Sequence, residues 1–163
     1  MKTLIAGLLI LLLVGFCLGF STGSSADKPL QDSKALIKKV IDATNNRKPE
    51  IFKECYAPTF IYHDQSSPVG TPTDMVSIYN TSIAAAPDLK AAIEDMIVEK
   101  DKVAVRMIYE GTNLRYGRKF KIINHWIARI DKGKIVEVWN VSDIQGMLNQ
   151  LGFKTVPPDV NTI

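Results

Sequence analysis

Near the end of the chain a histidine, an indole and a carboxylate stand at spacings that suit acid–base chemistry. Residues 122–153, IINHWIARIDKGKIVEVWNVSDIQGMLNQLGF, read as strand, tight turn, strand and short helix. His125 and Trp126 fall in the first strand, Trp139 and Asn140 in the second, and Asp143 at the head of the helix. The turn is Asp131-Lys132-Gly133-Lys134. A two-residue type I′ turn needs positive φ at both Lys132 and Gly133, which Lys resists. A three-residue loop with Gly133 left-handed asks this only of glycine. The three-residue register sets His125 opposite Trp139. Side chains alternate along a strand, so His125, Ile127 and Arg129 are expected to share a face with Ile135, Glu137, Trp139 and Asp143. A two-residue loop would set His125 opposite Asn140 instead. On the shared-face reading His125 and Asp143 are the candidate catalytic residues, because an apolar pocket can tune either pKa. The chemistry they suit is removal of a proton beside a carbonyl, with a donor to hold the enolate. Plainer roles compete. His125 also fits a buried histidine with one hydrogen-bond partner. Asp143 also fits an N-cap, accepting from the backbone of Gln145 or Gly146.

Two other polar groups stand out. His63-Asp64 ends a β-rich run, TFIYH, and is a candidate substrate-orienting pair at a cavity mouth, or a solvated strand end. Arg106 and Glu110 share a strand face at i,i+4, where an exposed ion pair adds little. Trp126 and Trp139 suit core or pocket walls, and neither indicates a cofactor. Metal binding has no support: the two histidines are far apart, and no His or Cys pair has ligand spacing. Cys55, among Ile51, Phe52 and Tyr56, reads as a small buried hydrophobe.

The elements that must position these residues form one domain. The chain has 163 residues and a net charge of +3 with both signs interspersed, which gives no case for nucleic acid. Lys2, an uncharged apolar run over 4–20 and then Ser24-Ser25-Ala26 read as a signal peptide over 1–26. The run is nearly long enough for a membrane span, so an uncleaved N-terminal anchor is the alternative. Cys17 follows the bulky Phe16, which argues against lipidation there. Each of these readings places the domain outside the cytoplasm, with membrane contact only through this segment. Removing it leaves Cys55 alone, so no intrachain disulfide forms.

Residues 27–32 read as a polar linker, 33–153 as the folded domain and 154–163 as a tail. Ser33 suits an N-cap for a first helix carrying Ala35, Leu36, Val40 and Ile41 at helical spacing. Pro49 opens a short second helix, 59–63 is a short strand, and 74–86 is a third helix. Strands follow over 89–99, 103–111, 120–130 and 135–141, and a last helix closes at Gly152. Helices followed by consecutive antiparallel strands make an α+β pattern. The sheet must be strongly bent over the N-terminal helices, and the curl leaves a cavity suited to a small molecule. Asn80-Thr81-Ser82 and Asn140-Val141-Ser142 fit the glycosylation pattern, the second inside a predicted strand.

The runs DKVAVRMIYEGT and IARIDKGKIVEVWNVSDIQGMLNQLGF, with Pro87-Asp88 and the closing Gln150-Leu151-Gly152, resemble the SnoaL-like polyketide cyclases and ester cyclases. These belong to the nuclear-transport-factor-2-like superfamily. The resemblance spans residues 33–153 and implies a cone-shaped α+β barrel with an internal pocket, in a homodimer. It also implies ring closure by intramolecular aldol condensation, using acid–base side chains and no cofactor, on a small apolar molecule. Trp139 and Asp143 match the family's W-x-x-x-D close, and Arg106 matches the Arg of the VAVR strand. His125 lies in the strand that carries a polar pocket residue in the cyclases; a slip of one would put Trp126 there. Asn140 would then stand where some cyclases carry an acid. The resemblance thus adds Trp139, Trp126, Arg106 and Asn140 to His63 and Asp64 as expected substrate-binding residues. Two functions are expected: a cofactor-free cyclase or isomerase, or a non-catalytic ligand-binding or dimerisation domain.

Overall fold

The computed structural model describes residues 27–63 and 70–154. The expected signal or anchor, Asp64 and the tail beyond residue 154 lie outside them. Among the described residues four α-helices and five strands run in the order α1 (Asp27–Asn45), a 3₁₀ turn (Pro49–Ile51), α2 (Phe52–Cys55), β1 (Tyr56–His63), α3 (Pro72–Ala85), β2 (Lys90–Glu99), β3 (Lys102–Asn113), β4 (Arg118–Asp131), β5 (Lys134–Ser142) and α4 (Ile144–Leu151). The strands form one curled sheet in the order β1-β5-β4-β3-β2. Among the described residues no helix is long and apolar enough to cross a membrane.

Helix α1 begins earlier than the sequence suggests. Residues 27–32, expected as a linker, are its first turns, with Lys28 and Asp32 paired across one turn at 2.8 Å. Its core stripe is Ile37, Val40, Ile41 and Thr44, at the i, i+3, i+4, i+7 spacing of one helical face, while Ala35 is exposed. Asn45 ties α1 to the sheet edge by donating Nδ2 to the Ala91 carbonyl and accepting the Ala91 N–H. Arg47, left-handed after the helix, donates to the carbonyls of Pro87 and Leu89.

The strands β2 to β5 pair antiparallel, as expected, but β1 pairs parallel with β5, so the sheet is mixed. β1 begins at Tyr56 rather than at the expected residue 59, and so runs through Ala57-Pro58. As the edge strand it tolerates a proline and a register shift there. α3 starts with a capping box: Thr71 Oγ1 accepts from the Asp74 N–H, and Asp74 accepts from the Thr71 N–H. α4 ends at Gly152 with φ +96°, the left-handed conformation glycine adopts freely.

The DKGK hairpin corrects the expected register. Asp131 pairs directly with Lys134, and Lys132 and Gly133 have φ +50° and +72°, a two-residue loop. Lys132 does adopt the left-handed conformation. One residue farther along, the register shifts: Ile130 faces Ile135, but Arg129 faces Glu137, leaving Val136 as a bulge. The bulge turns Ile135 to the inner face and sets His125 opposite Val141 and Ile127 opposite Trp139. Neither loop register alone describes the hairpin: the two-residue turn would set His125 opposite Asn140, and the bulge moves its partner one residue farther, to Val141.

Candidate functional site

The inner face of the sheet packs on α1, α2 and α3. β3 contributes Val103, Val105 and Met107 to it, β4 contributes Asn124, Trp126 and Ala128, and β5 contributes Ile135 and Val138. Trp126 is 6% exposed and sits opposite Val105 on one side and Asn140 on the other. Asn124, also 6% exposed, sits opposite Met107 and Ser142. Its Nδ2 donates to Ser142 Oγ, and Asn140 Nδ2 approaches the same oxygen at 3.5 Å. The Oδ1 atoms of both asparagines are buried and have no donor.

Tyrosines add further inner polar groups. The Tyr56 hydroxyl is buried without a partner. Burial, followed by the neighbouring Tyr109 and Tyr62 hydroxyls, pushes it well above the usual tyrosine range. Burial also pushes Tyr109 up to about 12. These phenols are neutral at physiological pH and can donate hydrogen bonds. Burial raises the Cys55 thiol as well, consistent with a core residue rather than a nucleophile. Among the described residues the buried polar or charged side chains are Thr44 and Asn124, and neither a carboxylate nor an imidazole is buried.

The opposite face holds most of the groups expected to act. Ile97, Ala104, Ile127, Trp139 and His63 follow one another in register across all five strands. His125 is exposed on this outer face, opposite Arg106, which lies 3.9 Å from Glu94. The expected convergence of His125 and Trp139 in the cavity therefore does not occur. The two share a face, but it is the solvent face, because inward packing of Asn124, Trp126 and Ala128 dictates the pleat. His63 stacks on Trp139 at 5.2 Å between ring centres with an interplanar angle of 8°, and Lys102 Nζ lies 5.4 Å from the same indole. His63 Nε2 lies 2.9 Å from Glu137 Oε1, and Arg129 Nε donates to Glu137 Oε2 at 2.9 Å. The His63 and Arg129 hydrogen bonds hold the Glu137 carboxyl below its usual range. Sequence reasoning missed this Glu137 centre.

Asp143 caps α4, its Oδ1 accepting the Gly146 N–H at 2.8 Å, and its side chain is exposed. Of the sequence-derived candidates, then, Trp126 and Asn140 lie on the inner wall. His125, Trp139, His63 and Arg106 lie outside, and Asp64 is outside the described residues. The signal for this division was present in β4: Lys119, Lys121, His125 and Arg129 share one parity, while Phe120, Ile122, Trp126 and Ala128 share the other. Two open surface grooves, of about 470 and 360 Å³, lie elsewhere; Asn124, Trp126 and Asn140 line neither. In the larger, Lys90 and Lys121 each stand opposite Glu110, so much of its charge is compensated. Among the described residues no three His, Cys, Asp or Glu side chains cluster for a metal.

A curled mixed sheet over N-terminal helices, with amides and phenols on its concave side, defines a nuclear-transport-factor-2-like α+β domain. The chain belongs to the SnoaL-like polyketide cyclase family, whose model matches residues 34–151. TsrD from Streptomyces laurentii is 22% identical, with a TM-score of 0.70 over 75% of this chain and 96% of that one. IdmH from Streptomyces antibioticus is 29% identical, with a TM-score of 0.65 over 76% of this chain and 99% of that one. A protein of ketosteroid isomerase-like fold from Catenulispora acidiphila, 14% identical, aligns at a TM-score of 0.67 over 75% of this chain and 97% of that one. No curated protein sequence matches the chain.

Proposed function

We propose that the domain binds a small, largely apolar molecule between its helices and the concave face of the sheet, through neutral hydrogen-bonding groups and without a cofactor. The observation that carries this reading is the division of polar groups between the two faces. The described inner wall offers the Tyr56 hydroxyl and the Oδ1 atoms of Asn124 and Asn140, all without a partner, beside Trp126, and no buried charge. Such a lining recognises a molecule by shape and a few directed hydrogen bonds. Mass spectrometry of small molecules co-purified from the native host tests it. The expected result is one neutral organic compound in stoichiometric amount; protein that never retains or binds any such compound contradicts it.

A second reading, a cofactor-free cyclase or isomerase acting on a small apolar carbonyl compound, is favoured by family membership and by the high-pKa phenols. Tyr56 and Tyr109 hydroxyls are suitable donors to an enolate oxygen. The reaction also needs a base, and Asp64, directly after His63, is the candidate. Asp64→Asn would abolish turnover of the identified compound and leave its binding intact.

Export and self-association complete the proposal. The basic and apolar character of residues 1–26 supports an extracytoplasmic domain, and N-terminal sequencing of membrane and soluble fractions separates a cleaved signal from an anchor. The outer sheet face supports a homodimer. Ile61, Ile97, Ile127 and Val141 are each 44% to 64% exposed there, too apolar a group for an ordinary solvated face. Arg106, Lys102 and Arg129 share that face with Glu94 and Glu137, so both charge signs are available for a two-fold contact with a second copy.

A further inference from the structure

We propose that Asn124, Asn140 and Ser142 form a subsite that seats a hydroxyl or N–H group of the ligand and rejects bare hydrocarbon, ether and carboxylate groups. This assignment rests on the interior-binding reading above and narrows the ligand class. Both asparagine Nδ2 groups point at one oxygen, Ser142 Oγ, and both Oδ1 atoms are buried without a donor. The asymmetry does not depend on which way each amide is turned. If one amide is reversed, its oxygen can accept the single hydrogen that Ser142 has to give, and the other amide oxygen stays unpaired. In every arrangement of the three side chains at least one buried acceptor lacks a hydrogen. A buried acceptor without a donor is costly, so the group that fits here must bring a hydrogen.

The site's surroundings refine the choice. Trp126 stands opposite Asn140 on the same inner face and supplies an apolar wall. No buried cation among the described residues would compensate a carboxylate or phosphate beside two amide oxygens. An ether or a bare hydrocarbon would leave those oxygens unpaired. A water molecule could meet the same need in the unliganded protein, and a ligand hydroxyl would take over its hydrogen bonds on displacing it.

Phenol and benzene are suitable probes, one ring with and without the hydroxyl. Ligand-observed saturation-transfer NMR on the protein isolated from its host measures both affinities. The expected result is phenol bound about tenfold more tightly than benzene, with that advantage lost in Asn140→Leu while benzene binding persists. If Asn140→Leu does not fold, Ser142→Ala serves as the second variant and the wild-type ratio still decides. Benzene bound as tightly as phenol in the wild type overturns the subsite assignment and leaves the interior-binding reading in place. A phenol advantage that survives both variants also overturns the assignment. Failure of both probes to bind overturns the interior reading together with it.

Discussion

The two faces of this sheet are built from the same five strands and differ in what they do with polarity. The inner face buries neutral polar groups, two asparagine amides and several tyrosine hydroxyls, and leaves some of them unsatisfied. The outer face carries imidazoles, guanidinium groups and carboxylates, many paired with each other, among exposed isoleucines. A charge costs far more to bury than an amide, so strand alternation sorts titratable groups outward unless a site keeps one inside. Among the described residues no carboxylate, imidazole, lysine or arginine is buried, and the titratable groups kept inside are phenols and a thiol that stay neutral. A histidine, an indole and an acid adjacent in a family motif are therefore poor guides to an active site until the pleat that divides them is known.

The two tryptophans offer the largest contrast between the faces. Trp126→Ala, inside, should lose about 3–5 kcal/mol. Trp139→Ala, outside, should lose only about 1 kcal/mol, chiefly the stacking with His63. Chemical denaturation of both variants measures the difference, and equal losses would erase the distinction between the faces. Next comes association. Ile127→Glu places a charge in the centre of the outer apolar row and should convert a dimer to a monomer, with monomer stability changed by no more than about 0.5 kcal/mol. Sedimentation velocity reads this directly, and a wild-type monomer would remove the second copy from the account.

Asp143 sharpens the comparison at its boundary. Asp143→Ala should cost about 1 kcal/mol as a lost N-cap, whereas Asp143→Asn, also a good cap, should cost a few tenths. Ligand binding by Asp143→Asn should match the wild type, and its loss would return the carboxylate to the site. The smallest effect concerns pH. The folded protein holds Glu137 below its ordinary pKa, first by the His63 hydrogen bond and then by that of Arg129. The unfolded chain thus binds this proton at higher pH than the folded one does. The stabilisation is complete above the ordinary glutamate range and disappears as pH falls through the lowered folded-state value. Melting temperatures of wild type and Glu137→Gln should converge as the pH is lowered through that range.

Much of the fold was legible because burial imposes period-2 patterns on β3 and β4 and because Gly152 and Pro49 mark helix ends in a physically specific way. The helix stripe on α1 was legible only in part: Val40 and Ile41 were recovered, but its centre is Ile37. The parallel pairing of β1 was not legible, since nothing local in TFIYH encodes a partner 76 residues away. The candidate site was harder still. Lys132 in a left-handed turn and a bulge at Val136 both contradict local preference, and together they decide which residues oppose His125. Ile123 and Ile127 made the outer parity of β4 look as apolar as the inner one, although its lysines, histidine and arginine mark it as outward. Asn140 was legible as a substrate-binding candidate only through the family resemblance, where it stands at an acidic position, and nothing in the sequence showed that its oxygen is buried and unpaired.

The central claim is that recognition belongs to the inner face. Native mass spectrometry of protein isolated from its host, comparing Asn140→Leu with His125→Ala, tests it most directly. The account predicts that a bound small molecule remains on His125→Ala at wild-type occupancy and is lost from folded Asn140→Leu. Loss from His125→Ala with retention on Asn140→Leu would contradict it and move the site to the outer face.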